Sequence, residues 1–227
     1  MNAIGARAFL SAILLSALLP HNASASPGKE WHFEVFLDDD PIGFHHFQLD
    51  TSGDSRVLRG AAQFRVKLLG FTVYDYSHQN LERWQHDCLQ HIEARTDDNG
   101  EDLFVRGSSN GEGMLLQSSS GSRDMPGCIM SFAYWNPAIL DQQQLLNAQT
   151  GEYLDVEVKP LGEQTLQLQG RAVPALHYRL RTNENDIELW YSSDRDWLAL
   201  STTTSGGRQL HYRRLAAVAD SGSVAGE

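Results

Sequence analysis

Between positions 71 and 85 the sequence reads FTVYDYSHQNLERWQ. On a strand, alternate side chains fall on opposite faces. Tyr74, Tyr76, His78, Asn80, Glu82 and Trp84 therefore share one face, and Val73, Asp75, Ser77, Gln79, Leu81 and Arg83 share the other. Neither face is simply apolar, but the first combines three aromatic rings with an imidazole, an amide and a carboxyl. Turned inward over a concave sheet, it would line a ligand pocket: apolar walls with a few convergent polar groups. The alternative is that the far half of the strand emerges into solvent, where the same groups are merely wet. His78 and Glu82 lie about 13 Å apart along a strand. They cannot bond directly, so an acid–base dyad would need partners from other strands.

Few other groups offer chemistry. His45 and His46 are adjacent, so on a strand they point to opposite faces and cannot hold one ion together. His86 and His91 fall on opposite faces for the same reason. Cys88 and Cys128 are an even pair, and in an oxidising compartment a disulfide is the default. Such a bond would stabilise by roughly 4 kcal/mol in the chain-entropy picture. A metal site through His86, Cys88 and Cys128 lacks a fourth ligand. No hydrolase nucleophile elbow, HExxH helix, phosphate loop or dinucleotide fingerprint is read here. The sequence therefore assigns no catalytic residue, no metal and no cofactor. The serines over 118–122 read as a loop.

Something must position the aromatic face, and the elements read almost entirely as strands. Candidate strands run over 31–37, 43–49, 56–69, 71–85, 89–96, 102–107, 114–117, 153–159, 164–169, 173–181, 187–192, 197–204 and 209–214. Turn chemistry separates them, including an Asp-Asp-Asp-Pro cluster at 38–41 and Asn99-Gly100. The strand over 71–85 would extend roughly 50 Å, and one that long must curl or bulge around a core. The predicted fold class is mainly β: a strongly curved antiparallel sheet, half-barrel or open barrel, with one helix after Asn136-Pro137. That helix is expected over 137–148, with Asn136 as N-cap, Pro137 in its first turn and Gly151 ending the run. Residues 26–215 then form a single β domain and 216–227 a flexible tail.

Residues 130–137, MSFAYWNP, follow Cys128 and are rich in aromatics. A disulfide to Cys88 would pin them against the sheet. Large aromatics usually serve packing, so the segment reads as a core-filling plug before it reads as a lid. Tyr134 and Trp135 are its candidate pocket residues. This stretch, with LLNAQTGEY over 145–153, the turn over 96–100 and LWYS over 189–192, resembles an exported bacterial family, domain-of-unknown-function family 6134. The resemblance covers nearly the whole mature chain and implies a Gram-negative, periplasmic protein with no catalytic residues to carry over. The C-terminal pattern also resembles, more distantly, periplasmic half-barrel domains and the lipoprotein carriers whose curved sheet holds acyl chains.

The N-terminus reads as a leader. Arg7 precedes a short apolar run over 8–19, Pro20 breaks it, and Ala23-Ser24-Ala25 offers a small-residue cleavage site. The run is too short to span a hydrocarbon core of about 30 Å. A soluble periplasmic chain, cleaved near Ala25 and not integral to the membrane, is the expectation. The 227 residues carry a formal charge of −11, and loss of Arg7 leaves 17 basic against 29 acidic residues. That balance argues against nucleic acid as a partner. Three functions fit: a carrier of a hydrophobic or lipid-derived ligand, an enzyme acting on a lipid or envelope substrate, or an envelope scaffold pairing through a sheet edge. The carrier leads.

Overall fold

The computed structural model describes residues 28–215. The expected leader, its cleavage near Ala25 and the tail over 216–227 lie outside the described residues.

Alternation builds the chain into fifteen strands. The first eight are β1 (Lys29–Leu37), β2 (Asp40–Ser52), β3 (Ser55–Leu68), β4 (Phe71–Gln85), β5 (Cys88–Asp98), β6 (Glu101–Ser109), β7 (Gly113–Ser118) and β8 (Gly121–Pro126). A 3-10 turn (Pro137–Asp141) and two short strands follow, β9 (Gln144–Leu146) and β10 (Tyr153–Asp155). The remainder are β11 (Glu157–Leu168), β12 (Arg171–Arg181), β13 (Asp186–Tyr191), β14 (Trp197–Thr203) and β15 (Gln209–Arg214). Thirteen strands form one sheet in the order β11-β12-β13-β14-β15-β1-β2-β3-β4-β5-β6-β7-β8, every described pairing antiparallel. The sheet does not close; β11 and β8 are its edges. Pro160 sits in the edge strand β11, where its missing N–H costs no central ladder bond.

Curvature follows from what the faces touch. β4 and β13 are six strand spacings apart, so a flat sheet would separate them by about 29 Å. Yet His78 of β4 and Ile187 of β13 line the same cavity. Bulges at Val35/Phe36, Val66/Lys67, Arg83/Trp84, Pro160/Gly162 and Trp190/Tyr191 bend the long strands around the core. Inner residues from opposite regions of the sheet meet in one cluster: Trp31, Leu58, Ile92 and Val105 with Leu189, Trp197 and Leu200. A smaller cluster, Val35, Leu37, Ile42, Ala62 and Phe64, fills one end.

Two expectations change. The helix over 137–148 does not form: Asn136 accepts from Ala138 N as an N-cap, but the turn ends at Asp141. Backbone pairing across the plug wins over local propensity. Leu146 N donates to Met130 O at 2.8 Å and Phe132 N to Leu146 O at 3.1 Å, bonds that a helix would forfeit. The extended state also buries the adjacent Leu145 and Leu146 together. The serine run is not a loop throughout. It is the two-residue turn Ser119-Ser120 of a hairpin whose second strand, β8, is mostly exposed and lacks an apolar alternation.

Candidate functional site

The site is built where β4 faces the plug. The even face of β4 points inward: His78, Glu82 and Trp84 are buried, while Ser77, Gln79, Arg83 and Gln85 are exposed. Glu82 is only 2% exposed. Over it lies residues 128–154, tied at one end by the Cys88–Cys128 disulfide and by Leu89 N donating to Ile129 O at 2.9 Å. The far end is held by the β9–β10 pair. Tyr191 OH donates to Tyr134 O at 2.9 Å, and Asn136 Nδ2 donates to Asp87 Oδ1 at 3.0 Å. Arg56 Nη2 donates to the same Asp87 oxygen at 2.9 Å, and these two bonds hold the Asp87 carboxyl below the usual range. Ile129, Met130, Ala133, Trp135, Ile139, Leu145 and Leu146 are all buried, so the segment packs as a plug.

Between the plug and the sheet is a cavity of about 270 Å³. Its volume falls just below the range of small-molecule sites, about 300–1,000 Å³. Of the residues predicted for the site, six line it: Tyr76, His78, Asn80, Glu82, Tyr134 and Trp135. Tyr74 and Trp84 do not. Tyr74 sits beyond the cavity, its OH donating to Asp98 Oδ1 at 2.7 Å. Trp84 sits behind Glu82, donating Nε1 to Glu82 Oε2 at 3.1 Å and meeting Trp135 edge to face at 5.6 Å.

The polar floor centres on Glu82. Its Oε1 accepts from Asn80 Nδ2 at 3.1 Å and from Ser131 Oγ at 3.1 Å. No cation faces it. Burial pushes its carboxyl up to about 7, against the opposing pull of the Ser131, Asn80 and Trp84 donors. His78 shares a 2.8 Å hydrogen bond with Thr96 Oγ1, and burial pushes the imidazole down to about 4, leaving it neutral. Burial raises the phenols of Tyr76 and Tyr134. The Tyr76 ring stacks on Phe64 at 5.1 Å, and its OH donates to Gln149 Oε1 at 3.1 Å. Gly60 of β3 is opposite Asn80; a Cβ there would lie 2.0 Å from Asn80 Oδ1.

Several lining residues escaped the sequence reading. His45 and Phe47 are contributed by β2, Ser131 and Phe132 by the plug, Ala148 and Gln149 by its return, and Thr182, Glu184 and Asn185 by the β12–β13 turn. The alternation of Phe47 and Leu49 on β2 was a usable signal for His45. The last group is brought in only by the curvature. Glu184 and Asn185 are exposed, which places the mouth beside that turn. No Lys or Arg lines the cavity.

The arrangement carries no assembled nucleophile. His78 bonds Thr96 and Glu82 bonds neutral donors, so the two form no dyad. Residues 107–111, GSSNG, do spell the Gly-x-Ser-x-Gly spacing, contrary to the sequence reading. They form the end of β6 and its turn into β7 rather than a strand–turn–helix elbow, and Ser109 Oγ accepts from Gly111 N at 3.1 Å. Among the described residues, no three His, Cys, Asp or Glu converge as a metal site. Among the same residues, no helix is long and apolar enough to cross a membrane.

Comparison with known proteins agrees with the fold. A crystal structure of a β-barrel-like protein of domain of unknown function DUF1849 from Brucella abortus superposes with a TM-score of 0.60 at 11% identity, covering 83% of this chain and 95% of that one. That likeness is one of fold. No curated protein matches the chain. The family model described as domain of unknown function (DUF6134) matches residues 33–215, from the second buried position of β1 to the residue after β15, so it takes in all of the sheet but the first four residues of β1, with the plug and the cavity. On that match, the chain belongs to the DUF6134 family.

Proposed function

We propose that the protein is an exported, periplasmic binding protein that holds a hydrophobic or lipid-derived molecule in the concavity of its sheet. The observation that carries the reading is the cavity itself. Phe47, Leu58, Phe132, Trp135 and Ile187 give it apolar walls, and Glu82, Asn80 and Ser131 give it a small polar floor. The leader sequence and the disulfide support export. The absence of Lys and Arg from the lining argues against a ligand with an anionic end, because a buried anion would find no counter-charge. The volume fits a compact group or the first part of a chain, with any longer tail leaving by the mouth.

Native mass spectrometry of the full chain, expressed with its leader in its own host and purified without detergent, tests this. The expected result is a co-purifying mass that organic extraction removes. A protein that carries nothing, and that does not bind the neutral probe N-phenyl-1-naphthylamine, contradicts it.

One observation favours a second reading, an enzyme acting on a lipid or envelope substrate. Glu82 has the perturbed carboxyl expected of a proton-transfer group in a cleft. Glu82→Gln separates the two readings: it abolishes turnover in an enzyme and leaves binding of a neutral probe in a carrier.

A further inference from the structure

The hairpin formed by β3 and β4 outreaches its neighbours. β3 pairs with β2 only through Phe64, and β4 pairs with β5 only from Tyr76. Asp75 still bonds the next turn, its carbonyl accepting from Asn99 N at 2.8 Å, so residues 66–68 and 71–74 pair with each other alone, a two-stranded ribbon projecting roughly 10 Å. The tip is apolar. Leu68, Leu69, Phe71 and Val73 are 63%, 90%, 75% and 51% exposed, half of the large hydrophobic residues exposed in the described chain. Nothing among the described residues covers them.

The turn chemistry singles the tip out. The sheet has seven two-residue hairpin turns. Six are polar: Asp38-Asp39, Gly53-Asp54, His86-Asp87, Asn99-Gly100, Ser119-Ser120 and Gln169-Gly170. The seventh is Leu69-Gly70, with φ of 51° and 85°. Those angles are the primed-turn conformation that favours Asn-Gly, and a leucine there is unfavourable both for backbone and for exposure. Leu68 and Phe71 are paired and share one face, while Leu69 stands at the turn. Val73 is two positions from Phe71 on the same strand face, so the apolar groups make one side and the apex of a projecting wedge, a shape that can enter a fluid apolar phase end-on.

Position agrees. β4 and β13 run parallel, and each begins at the same end of the sheet, β4 at this tip and β13 at the turn that borders the cavity mouth. That end carries Asp38, Asp39, Asp40, Asp75, Asp98 and Glu184 against Lys67, Arg65, which pairs with Asp75, and Arg208, which pairs with Asp38 and Asp40; acids outnumber bases there, so a neutral bilayer is the better match than an anionic one.

We propose that the β3–β4 tip is a membrane-docking element, inserting Leu68, Leu69, Phe71 and Val73 into the interface of a zwitterionic bilayer and presenting the cavity mouth to the lipid. The docking step goes beyond the binding reading and needs no ligand in the cavity. Flotation of the full chain, recovered after processing of its leader, with vesicles of pure phosphatidylcholine tests it, with a second set containing phosphatidylglycerol. The control variant is Leu68→Thr/Leu69→Asn/Phe71→Thr, which keeps β-formers on the strands and supplies an Asn-Gly turn. The native chain floats with phosphatidylcholine, and less so with phosphatidylglycerol present. The variant folds and its partitioning falls by at least about tenfold. Three results overturn the proposal: a native chain that floats with neither vesicle, a variant that floats equally well, or a concentration-dependent dimer of the native chain that the variant lacks. Probe binding in the cavity is measured separately, so failure of docking and failure of the binding reading are distinguishable.

Discussion

Ser131 Oγ donates to Glu82 Oε1 at 3.1 Å, joining the plug to β4 across 49 positions of chain. Both residues are buried, and the carboxyl they share with Asn80 and Trp84 meets only neutral donors. Ser131→Ala removes one donor from a buried acceptor, at a cost of about 1–3 kcal/mol. Urea unfolding at neutral pH should show that loss, and Ser131→Thr should recover part of it. A change below the error of the measurement would mean that the bond contributes nothing.

The cavity floor also sets how stability varies with pH. Glu82 is raised from its ordinary value to about 7, so it favours folding fully at pH below about 4.5, and that contribution is lost as pH rises through 7. His78 is lowered to about 4, so its contribution is present above about 6.5 and is lost as pH falls towards 4. His45, lowered well below its ordinary value by burial, acts in the same direction as His78. The two slopes oppose each other between pH 4.5 and 6.5. Glu82→Gln should therefore steepen the rise of unfolding free energy with pH over that window, on the order of 3 kcal/mol in full. His78→Gln should flatten it. Identical slopes in both variants would remove buried titration as the cause.

The disulfide pins the start of the plug to β5. Cys88→Ser/Cys128→Ser should lower unfolding free energy by roughly 4 kcal/mol. Binding of a neutral cavity probe should weaken with it, because the plug forms one wall. Equal probe affinity with and without the bond would show that the plug holds its place by packing alone.

Gly60 leaves room for the Asn80 amide. Gly60→Ala places a Cβ 2.0 Å from Asn80 Oδ1, so Asn80 must turn and its bond to Glu82 breaks. Thermal unfolding should fall by an amount equivalent to about 1–3 kcal/mol. Gly60→Ala combined with Asn80→Ala should recover part of that loss, which a simple strand-propensity effect would not.

Much of this was legible in one dimension. Along 71–85 the more aromatic face was the candidate inner face, with a solvent-exposed far half left open, and strand length required curvature. Six of the eight residues proposed for the pocket line it. Tyr74 and Trp84 share that face, but the cavity is shorter than the strand. What stayed hidden depends on closure in space. Whether Leu145 and Leu146 sit on a helix or in an extended pair is decided by Met130 and Phe132 offering backbone partners, which no local pattern reveals. The β12–β13 turn reaches the cavity only because six strand spacings curl. β8 lacks alternation because it is an exposed edge.

Fluorescence titration with N-phenyl-1-naphthylamine, comparing the native chain with Ala148→Trp, tests the central claim most directly. Ala148 lines the cavity opposite β4, and an indole there would occupy the space. The account predicts saturable binding to the native chain and at least about tenfold weaker binding to a variant of unchanged melting temperature. Binding that is absent from both proteins, or equal in both, would contradict it.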